Sequence, residues 1–512
     1  MLSIRDRSAK ARPDSAAAQL DFRTFIELLR YDDDLVEITR EVDPYLEVGA
    51  IVRRVSEVDA KAPLFMNVKG AKNGLWKMFG NAASLRKNKK ERYGRLARNL
   101  GLPSDASWKD ISERTQAGKK STPLKPNILS TGPCKENKIF GDDIDLNNLP
   151  VPTLHKEDGG KYLQTYGIHI LNTPDGSWSN WSIFRGMVYD ACHLVCLVGT
   201  GQHGAIIRDK WKQQGKDEIP WALALGVPPA ASLAAALPVP EGVSEGEYVG
   251  ALVGKPLDLV KCETNDVLVP ANSEIVFEGK MLLKETGQEG PFGDYMGLIF
   301  ENEGHPMPLF RVEAITYRND PILPISVPGR ITDESHTTAA LAAAELLTLC
   351  KARGLPIQDA CASLETHGTW CALKVDIQGL ALMKTSSKDF CEEIGRVAFN
   401  DKSAFFMTRI LLIGDGVDVY DFKDVIWAWV TRSRPGQDDY AFEDVPGLVL
   451  IPYMSNGRGH RRRGGKMVSD CLLPTEYEGR RGFQSVDFQH SYPEDLQARV
   501  RSNWTDMGFD QV

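Results

Sequence analysis

YGIHILNTPDGSWSNWSIFRGMVYD, Tyr166 to Asp190, is the stretch on which the fold of this chain turns. Two strand-like runs flank Thr173-Pro174-Asp175-Gly176, where Pro presets one turn dihedral and Gly accepts a positive φ, so the runs are expected to fold back on each other as a hairpin. A hairpin makes the sheet antiparallel. Downstream, SEIVFEGKMLL (273–283), LFRVEAITYR (309–318) and ILPISV (322–327) repeat the theme, with Asn319-Asp320 between the last two, and the set implies an antiparallel barrel.

The hairpin also bears on the next motif. Gly199–Gly204, GTGQHG, matches G-x-G-x-x-G, follows the run LVCLV and precedes a helix-like AIIRDKWKQQG, which proposes a dinucleotide-binding crevice and a Rossmann-type NAD(P) oxidoreductase. The next strand, PWALALGV, ends in Pro228-Pro229 with no acid to hold a ribose, and the preceding strands pair as hairpins where that fold needs parallel ones. The motif is retained as the alternative reading.

Outward from the barrel, Phe22–Leu29 reads as a helix with Phe22, Phe25, Ile26 and Leu29 on one face, LVEIT (35–39) as a strand, and LEVGAIVRRV (46–55) as a helix again. This N-terminal α/β region is taken as residues 21–125, after a flexible tail of residues 1–20, and ends in the Lys-, Ser- and Pro-rich segment around Lys119–Pro126. The barrel domain occupies 126–330. HTTAALAAAELLTLCKAR (336–353) closes at Gly354 and forms a linker helix within 331–355. Strands WCALKVDI and RILLIGDGVDVY and helices KDFCEEIGRVAF and FKDVIWAWVT make 356–490 a C-terminal α/β domain. In 491–512 a docking helix is expected, with Ser491 as N-cap, Pro493 in the first turn, and Leu496, Val500 and Trp504 on its apolar face. The fold class is thus mixed α+β.

With 512 residues, 42% hydrophobic residues, 25% charged residues and a net charge of −8, the chain reads as a large, mildly acidic globular protein with two or three domains. No basic surface for nucleic acid and no membrane span are indicated. The nine cysteines are scattered and never form C-x-x-C, which argues against a disulfide framework or zinc ribbon and for a reducing compartment. Arg5, Arg7, Lys10 and Arg12 alternate with Asp6 and Asp14, so a cytoplasmic location is expected, with a mitochondrial leader as the alternative.

Three residues could handle a carboxylic acid. Arg185 offers a planar fork, while Glu289 and Asp294, held by the glycines and proline of EGPFGD, are two carboxyls that cannot both stay ionised cheaply in a dry pocket, so one could act as an acid. Taken singly, spacing reads Arg185 as a barrel-face ion pair and both acids as exposed turn residues. Asn180, His203 and Glu245 supply an amide oxygen, an imidazole and a carboxylate, a set suited to Mn²⁺ or Mg²⁺ against a phosphate, although each alone is an ordinary strand-end or loop residue. Arg461-Arg462-Arg463 reads as a solvated loop.

NWSIFRG (180–186), QH (202–203), ALGVPPAA, GVSEGEYVGALVG, ETGQEGPFGD and GRITDESHT together resemble the UbiD family of decarboxylases, and most the fungal ferulic acid (phenylacrylic acid) decarboxylase branch. The resemblance runs in order from LDFRTFIELLR to SYPEDLQARV and NWTDMGF. It implies a reversible, non-oxidative carboxy-lyase with prenylated FMN, Mn²⁺ and K⁺ in a split-barrel domain and a C-terminal domain that makes a homodimer. The cofactor would come from a separate flavin prenyltransferase. By motif position, Arg185, Glu289 and Asp294 would be the catalytic network, and Asn180, His203 and Glu245 would hold Mn²⁺ at the flavin phosphate. Trp181 would lend its carbonyl to K⁺, and Ser182, Ile183, Phe184, Gln202 and Lys402 would contact the cofactor.

Such chemistry needs an electron sink, because loss of CO₂ from an sp² carbon leaves a carbanion that no amino acid stabilises. Arg185 would orient the carboxylate and Asp294 would deliver the proton. Departures from the cinnamic-acid enzymes are Asp294 in place of Glu, Phe184 in place of a small residue, Tyr295 in place of Met, and Gly199, Gly204, Ala339, Thr408 and Leu448 where bulkier residues stand. These imply a reshaped pocket for an aromatic or heteroaromatic acid, with a cinnamic acid as the alternative. A silent relative serving as a subunit is disfavoured by the intact Arg, Glu and Asp.

Overall fold

The computed structural model describes residues 13–509 apart from 73–74, 200–201, 240, 301–303, 331–332, 456, 459 and 461. Two compact units divide them: one runs through Glu345 and includes Leu364–Gly368 and Leu448–Arg462, and the other holds Leu346–Ser363, Thr369–Gly447 and the chain from Arg463.

The first unit is built on a nine-stranded sheet. Its strands are β1 (Asn137–Phe140), β2 (Tyr162–Gln164), β3 (Gly167–Asn172), β4 (Ser179–Ser182), β5 (Gly186–Val188), β6 (His193–Cys196), β7 (Glu218–Leu225), β8 (Ile275–Glu289) and β9 (His305–Tyr317). They run in the order β2-β5-β6-β9-β8-β7-β3-β4, with β1 added beside β9, and every neighbouring pair is antiparallel. The expected hairpin is β3–β4, with Asn172 opposite Ser179, Gly176 at φ 69° and the Gly176 N–H bonded to the Thr173 carbonyl at 2.9 Å.

Connectivity forces this sheet to curl. β4 lies at one end of the row and β5 next to the other end, six strand spacings away, which is roughly 29 Å in a flat sheet. Only Ile183–Arg185 joins them, and so short a link reaches at most about 14 Å. The sheet therefore rolls into a barrel split between its two edges, and Arg185 sits in the strand-to-strand link across the split. The single run NWSIFRGMVYD of the sequence reading is thus two strands on opposite edges.

One further expectation is corrected, and the alternative reading loses its support. ILPISV does not join the barrel: Ile322–Ile325 lies at the edge of a separate four-stranded sheet with Leu35–Ile38, Ala62–Phe65 and Lys77–Gly80, paired in parallel with the last. Pro324 has no N–H to give, and an edge is where a strand tolerates it. The Gly199–Gly204 motif is not in a βαβ crossover, because β6 is antiparallel to both β5 and β9, and β7 to both β8 and β3. Thr200 and Gly201 lie outside the described residues.

A short helix, Ser15–Ala18, capped by Asp14 and burying Ala18, lies within the stretch expected as a flexible tail; the next helix spans Phe22–Tyr31, capped by the Asp21 side chain on the Thr24 N–H at 2.7 Å, and buries Phe22, Phe25, Ile26, Leu28 and Leu29. The helix expected over 336–353 forms as Glu334–Ala340 and Ala342–Ala352, with Asp333 capping the first and Gly354 at φ 72° after the second. The second unit carries a five-stranded sheet, Ile357–Ala362, Trp370–Val375, Arg409–Ile413, Lys466–Cys471 and Asp439–Phe442, whose inner pairs are parallel. The last helix, Glu494–Ser502, starts after Pro493, and the Ser491 hydroxyl bonds back to the Ser485 carbonyl in place of capping it. Among the described residues no helix is long and apolar enough to cross a membrane.

Candidate active site

The split of the barrel brings three distant side chains together. Arg185 Nε lies 2.8 Å from Glu289 Oε1 and Nη2 lies 3.0 Å from Oε2, a two-pronged pairing, while Nη1 bonds Asp294 Oδ2. Glu289 is the last residue of β8, its side chain is 0% exposed, and the Tyr162 hydroxyl on β2 donates to its Oε1 at 2.8 Å. Arg185 is 12% and Asp294 20% exposed, so the network opens to solvent on the Asp294 side. Neither acid is the exposed turn residue that spacing alone suggests.

The electrostatics of the two acids differ. Burial pushes the Asp294 carboxyl above its ordinary value, against the opposing pull of Arg185 and of the Tyr295 N–H, which donates to Oδ1 at 2.7 Å; Glu289 and Asp333 add to the upward push. Burial works against the Arg185 charge, and Asp294 and Glu289 outweigh it, so the guanidinium is held above its ordinary value. The site therefore keeps a fixed cation, one carboxylate locked to it, and one carboxyl inclined to retain a proton.

Side chains that sequence reading missed support this arrangement. The Phe292 ring lies 4.9 Å from the Arg185 guanidinium carbon and 4.3 Å from the Tyr162 ring. Beneath Phe184, His169 stacks at 3.7 Å with 2° between planes; its Nε2 faces the Phe184 carbonyl at 3.0 Å and its Nδ1 accepts from Trp221 Nε1 at 2.9 Å. Trp221 can only donate, so the tautomer is fixed with the hydrogen on Nε2. Burial pushes His169 down to about 3, which keeps it neutral. No local pattern announces these contacts, since His169 and Trp221 are 52 positions apart.

A second cluster forms where two helices begin. His203 is the first residue of His203–Gln213 and Glu245 the first of Glu245–Val253, and both are buried together with Asn180 of β4. Asn180 Nδ2 lies 3.3 Å from His203 Nδ1 and 2.8 Å from Glu245 Oε1, while Glu245 Oε2 accepts the Trp181 N–H at 2.8 Å and the Ser182 hydroxyl donates to Asn180 Oδ1 at 2.6 Å. The amide, imidazole and carboxylate suit a divalent cation, and the two helix N-termini beside them suit the phosphate to which it would bridge.

The remaining candidates are distributed as follows. Gln202 is exposed and turns back so that Oε1 accepts the Gly199 N–H at 3.1 Å. Ile183 is half-buried in the β4–β5 link, and the buried Phe184 ring lies beside Gly204, where an added Cβ would meet it at 3.6 Å. The large residue and the small one are thus neighbours, and Phe184 takes up the volume that Gly204 leaves. Tyr295 follows Asp294 with its ring 5.9 Å from His336; Ala339 is on the helix Glu334–Ala340 and Leu448 is half-buried in the same unit. Lys402, at the start of the turn Lys402–Ala404, and Thr408, whose N–H bonds the Thr369 carbonyl at 2.7 Å, belong to the second unit. Arg461 lies outside the described residues.

Known proteins share this architecture. Residues 26–115, 127–331 and 335–471 match the N-terminal, Rift-related and C-terminal domains of 3-octaprenyl-4-hydroxybenzoate carboxy-lyase, UbiD. The chain is 46% identical over 495 residues to ferulic acid decarboxylase 1 of Saccharomyces cerevisiae, covering 96% of this chain and 98% of that protein. It is 41% identical over 491 residues to pyrrole-2-carboxylic acid decarboxylase of Pseudomonas aeruginosa, covering 96% and 98%. Among solved structures it is similar to the UbiD-class enzyme HmfF from Pelotomaculum thermopropionicum in complex with FMN, at TM-score 0.76 and 26% identity over 91% of this chain and 97% of that one. An evolved dimeric form of HmfF with prFMN matches at TM-score 0.74 and 26% identity, covering 91% and 96%.

Proposed function

The chain belongs to the UbiD family of carboxy-lyases, and from that premise we propose that it carries out the reversible, non-oxidative decarboxylation of an aromatic, heteroaromatic or α,β-unsaturated acid. The observation that supports this reading most is the fork of Arg185 between a locked carboxylate, Glu289, and a proton-retaining carboxyl, Asp294. Arg185 receives the substrate carboxylate on the Nη1 side that Asp294 now occupies. Glu289 holds the guanidinium plane, and Tyr162 and Phe292 hold Glu289 and Arg185. Asp294 then supplies the proton that takes the place of CO₂ on carbon, so that RCO₂⁻ and H⁺ leave as RH and CO₂.

The electron sink is not in the side chains. Prenylated FMN, when bound, supplies it by accepting the electron pair released as CO₂ departs. The donor set fits such a group: Asn180, His203 and Glu245 would hold Mn²⁺ against its phosphate at the two helix N-termini, and Trp181 would lend a carbonyl to K⁺. Ser182, Ile183, Phe184, Gln202 and Lys402 would line it. A homodimer in the cytoplasm, supplied with cofactor by a separate prenyltransferase, completes the proposal.

For the substrate, relatives named for ferulic and for pyrrole-2-carboxylic acid bracket the choice. We favour the aromatic or heteroaromatic acids, on Gly199, Ala339, Thr408 and Leu448, which stand where bulkier residues are the rule in cinnamic-acid enzymes, and on Tyr295. Cofactor-loaded enzyme incubated with a panel of benzoic, pyrrole, furan and cinnamic acids, followed by CO₂ release, tests this. Turnover of cinnamic and ferulic acids alone would overturn the substrate assignment, and a purified protein that retains no flavin and converts none of the acids would overturn the function.

A further inference from the structure

Glu289 and Asp294 are joined by Gly290-Pro291-Phe292-Gly293, in which Pro291 fixes one dihedral while Gly293, next to Asp294, has the widest backbone freedom and takes its setting from the contacts around it. Asp294 is also the shortest carboxylic side chain available, so its reach is set by its backbone more than by its rotamers. The segment His155–Gly160, HKEDGG, packs along this link. The Asp158 side chain is 0% exposed, and its Oδ1 accepts the Gly293 N–H at 3.0 Å. Its Oδ2 accepts the His155 N–H at 2.9 Å, and His155 Nδ1 lies 3.2 Å from both oxygens. His155 Nε2 faces the Pro328 carbonyl at 3.1 Å, so the ring lies between the Asp158 carboxylate and that carbonyl. Gly159 donates to the Pro291 carbonyl at 2.8 Å, and an added Cβ there would come within 2.2 Å of the Gly290 carbonyl oxygen. A Cβ on Gly293 would in turn meet His155 Nδ1 at 2.6 Å.

We infer that Asp158, braced by His155, is a positioning residue for the proton donor: by holding the Gly293 N–H it sets where the Asp294 carboxyl stands relative to Arg185. This rests on the reading of Asp294 as the acid. The Asp158 carboxylate touches neither Arg185 nor the substrate side of the network, so its loss should slow proton delivery and leave carboxylate binding intact. Displacing a reacting group by about 1 Å costs on the order of 100-fold in rate, which bounds the effect.

The test uses cofactor-loaded enzyme with Asp158→Ala, Asp158→Asn and Asp294→Asn. Asp158→Ala should lower kcat by about 10- to 100-fold with KM and flavin retention within about twofold, and the solvent deuterium isotope effect on kcat should rise as protonation becomes limiting. Asp158→Asn keeps an oxygen for the Gly293 N–H and should recover most of the rate. If Asp158→Ala does not fold, Gly159→Ala pushes the same link through the Gly290 carbonyl and should give the same pattern. A kcat within twofold of the parent, a loss carried by KM, or an unchanged isotope effect would overturn the inference. Full activity of Asp294→Asn would instead overturn the reading of Asp294, whatever Asp158 does.

Discussion

Replacing Arg185 by Ala tests whether the central fork is held together by charge. Glu289 is 0% exposed and is held by two kinds of partner, the Arg185 guanidinium at 2.8 and 3.0 Å and the Tyr162 hydroxyl at 2.8 Å. Removing the guanidinium leaves a buried carboxylate with one neutral donor, and stripping one partner from a buried pair costs about 3–5 kcal/mol. Arg185→Ala should therefore lose that much stability at pH 7, read as a fall in the urea midpoint by circular dichroism, together with all turnover. Adding Glu289→Gln removes the stranded charge and keeps an oxygen for Tyr162, so the double variant should regain at least half of the lost stability and no activity. The regain separates the fold from the chemistry. If Arg185→Ala unfolds at the parent's midpoint, or if Glu289→Gln fails to restore it, the account of Glu289 as a buried, paired carboxylate is wrong.

Asp294→Asn should cut kcat by roughly 10²–10⁴-fold. Because a carboxyl with a raised native pKa binds more protons folded than unfolded, it makes stability fall as pH climbs past its ordinary 3.8, and the variant should lose that fall when thermal midpoints are compared across pH 4–7. Glu245→Ala should release bound flavin and manganese together, seen in the absorbance spectrum and metal content of the purified protein, whereas loss of manganese with flavin kept would argue against a shared site. In the second unit, Lys466 is buried with its Nζ on the Ala404 and Phe405 carbonyls, and burial pushes it from 10.5 down to about 7. The unfolded chain then binds more protons between those values, so the parent should gain midpoint relative to Lys466→Met as pH rises from 7 to 10, and parallel curves would refute the assignment.

What the sequence revealed was local. The turn Thr173–Gly176, the apolar face of the helix that begins at Phe22 and the glycine after the helix ending at Ala352 are each dictated by residues a few positions apart, and they form where expected. The closure of the barrel was not local. β4 and β5 read as one strand because nothing in NWSIFRG marks a crossing from one sheet edge to the other; only the pairing partners of each edge reveal it. ILPISV carries the same strand composition as its neighbours, so composition alone groups it with their sheet, although its partner is Lys77–Gly80. For the site, residue type picked out Arg185, Glu289 and Asp294 across 104 and 109 positions, with family resemblance supplying their convergence. Tyr162, Phe292, His169 and Asp158 carry no such chemical signature, being common residues whose importance is entirely in whom they touch.

The charges around Arg185 imply a coupling between substrate binding and protonation. One guanidinium now faces two carboxyls, and an incoming substrate carboxylate would make three acidic groups for one cation. Glu289, locked on two nitrogens, is the harder to displace, while Asp294 is bonded through one nitrogen and already inclined by burial to keep a proton. Protonating Asp294 frees Nη1 for the substrate and arms the acid in a single event, so the proton that ends on carbon arrives with the carboxylate it replaces. Binding of a non-reactive aromatic carboxylate should accordingly take up protons, at most one per site, at any pH where Asp294 is still ionised in the free enzyme, and the uptake should fade as the pH is lowered towards full protonation of that carboxyl. Titration calorimetry in buffers of differing ionisation enthalpy reads this directly as a dependence of the binding enthalpy on buffer. The same dependence should vanish in Asp294→Asn. A parent enthalpy independent of buffer would mean that Asp294 releases Arg185 without being protonated, and the coupling would have to be abandoned.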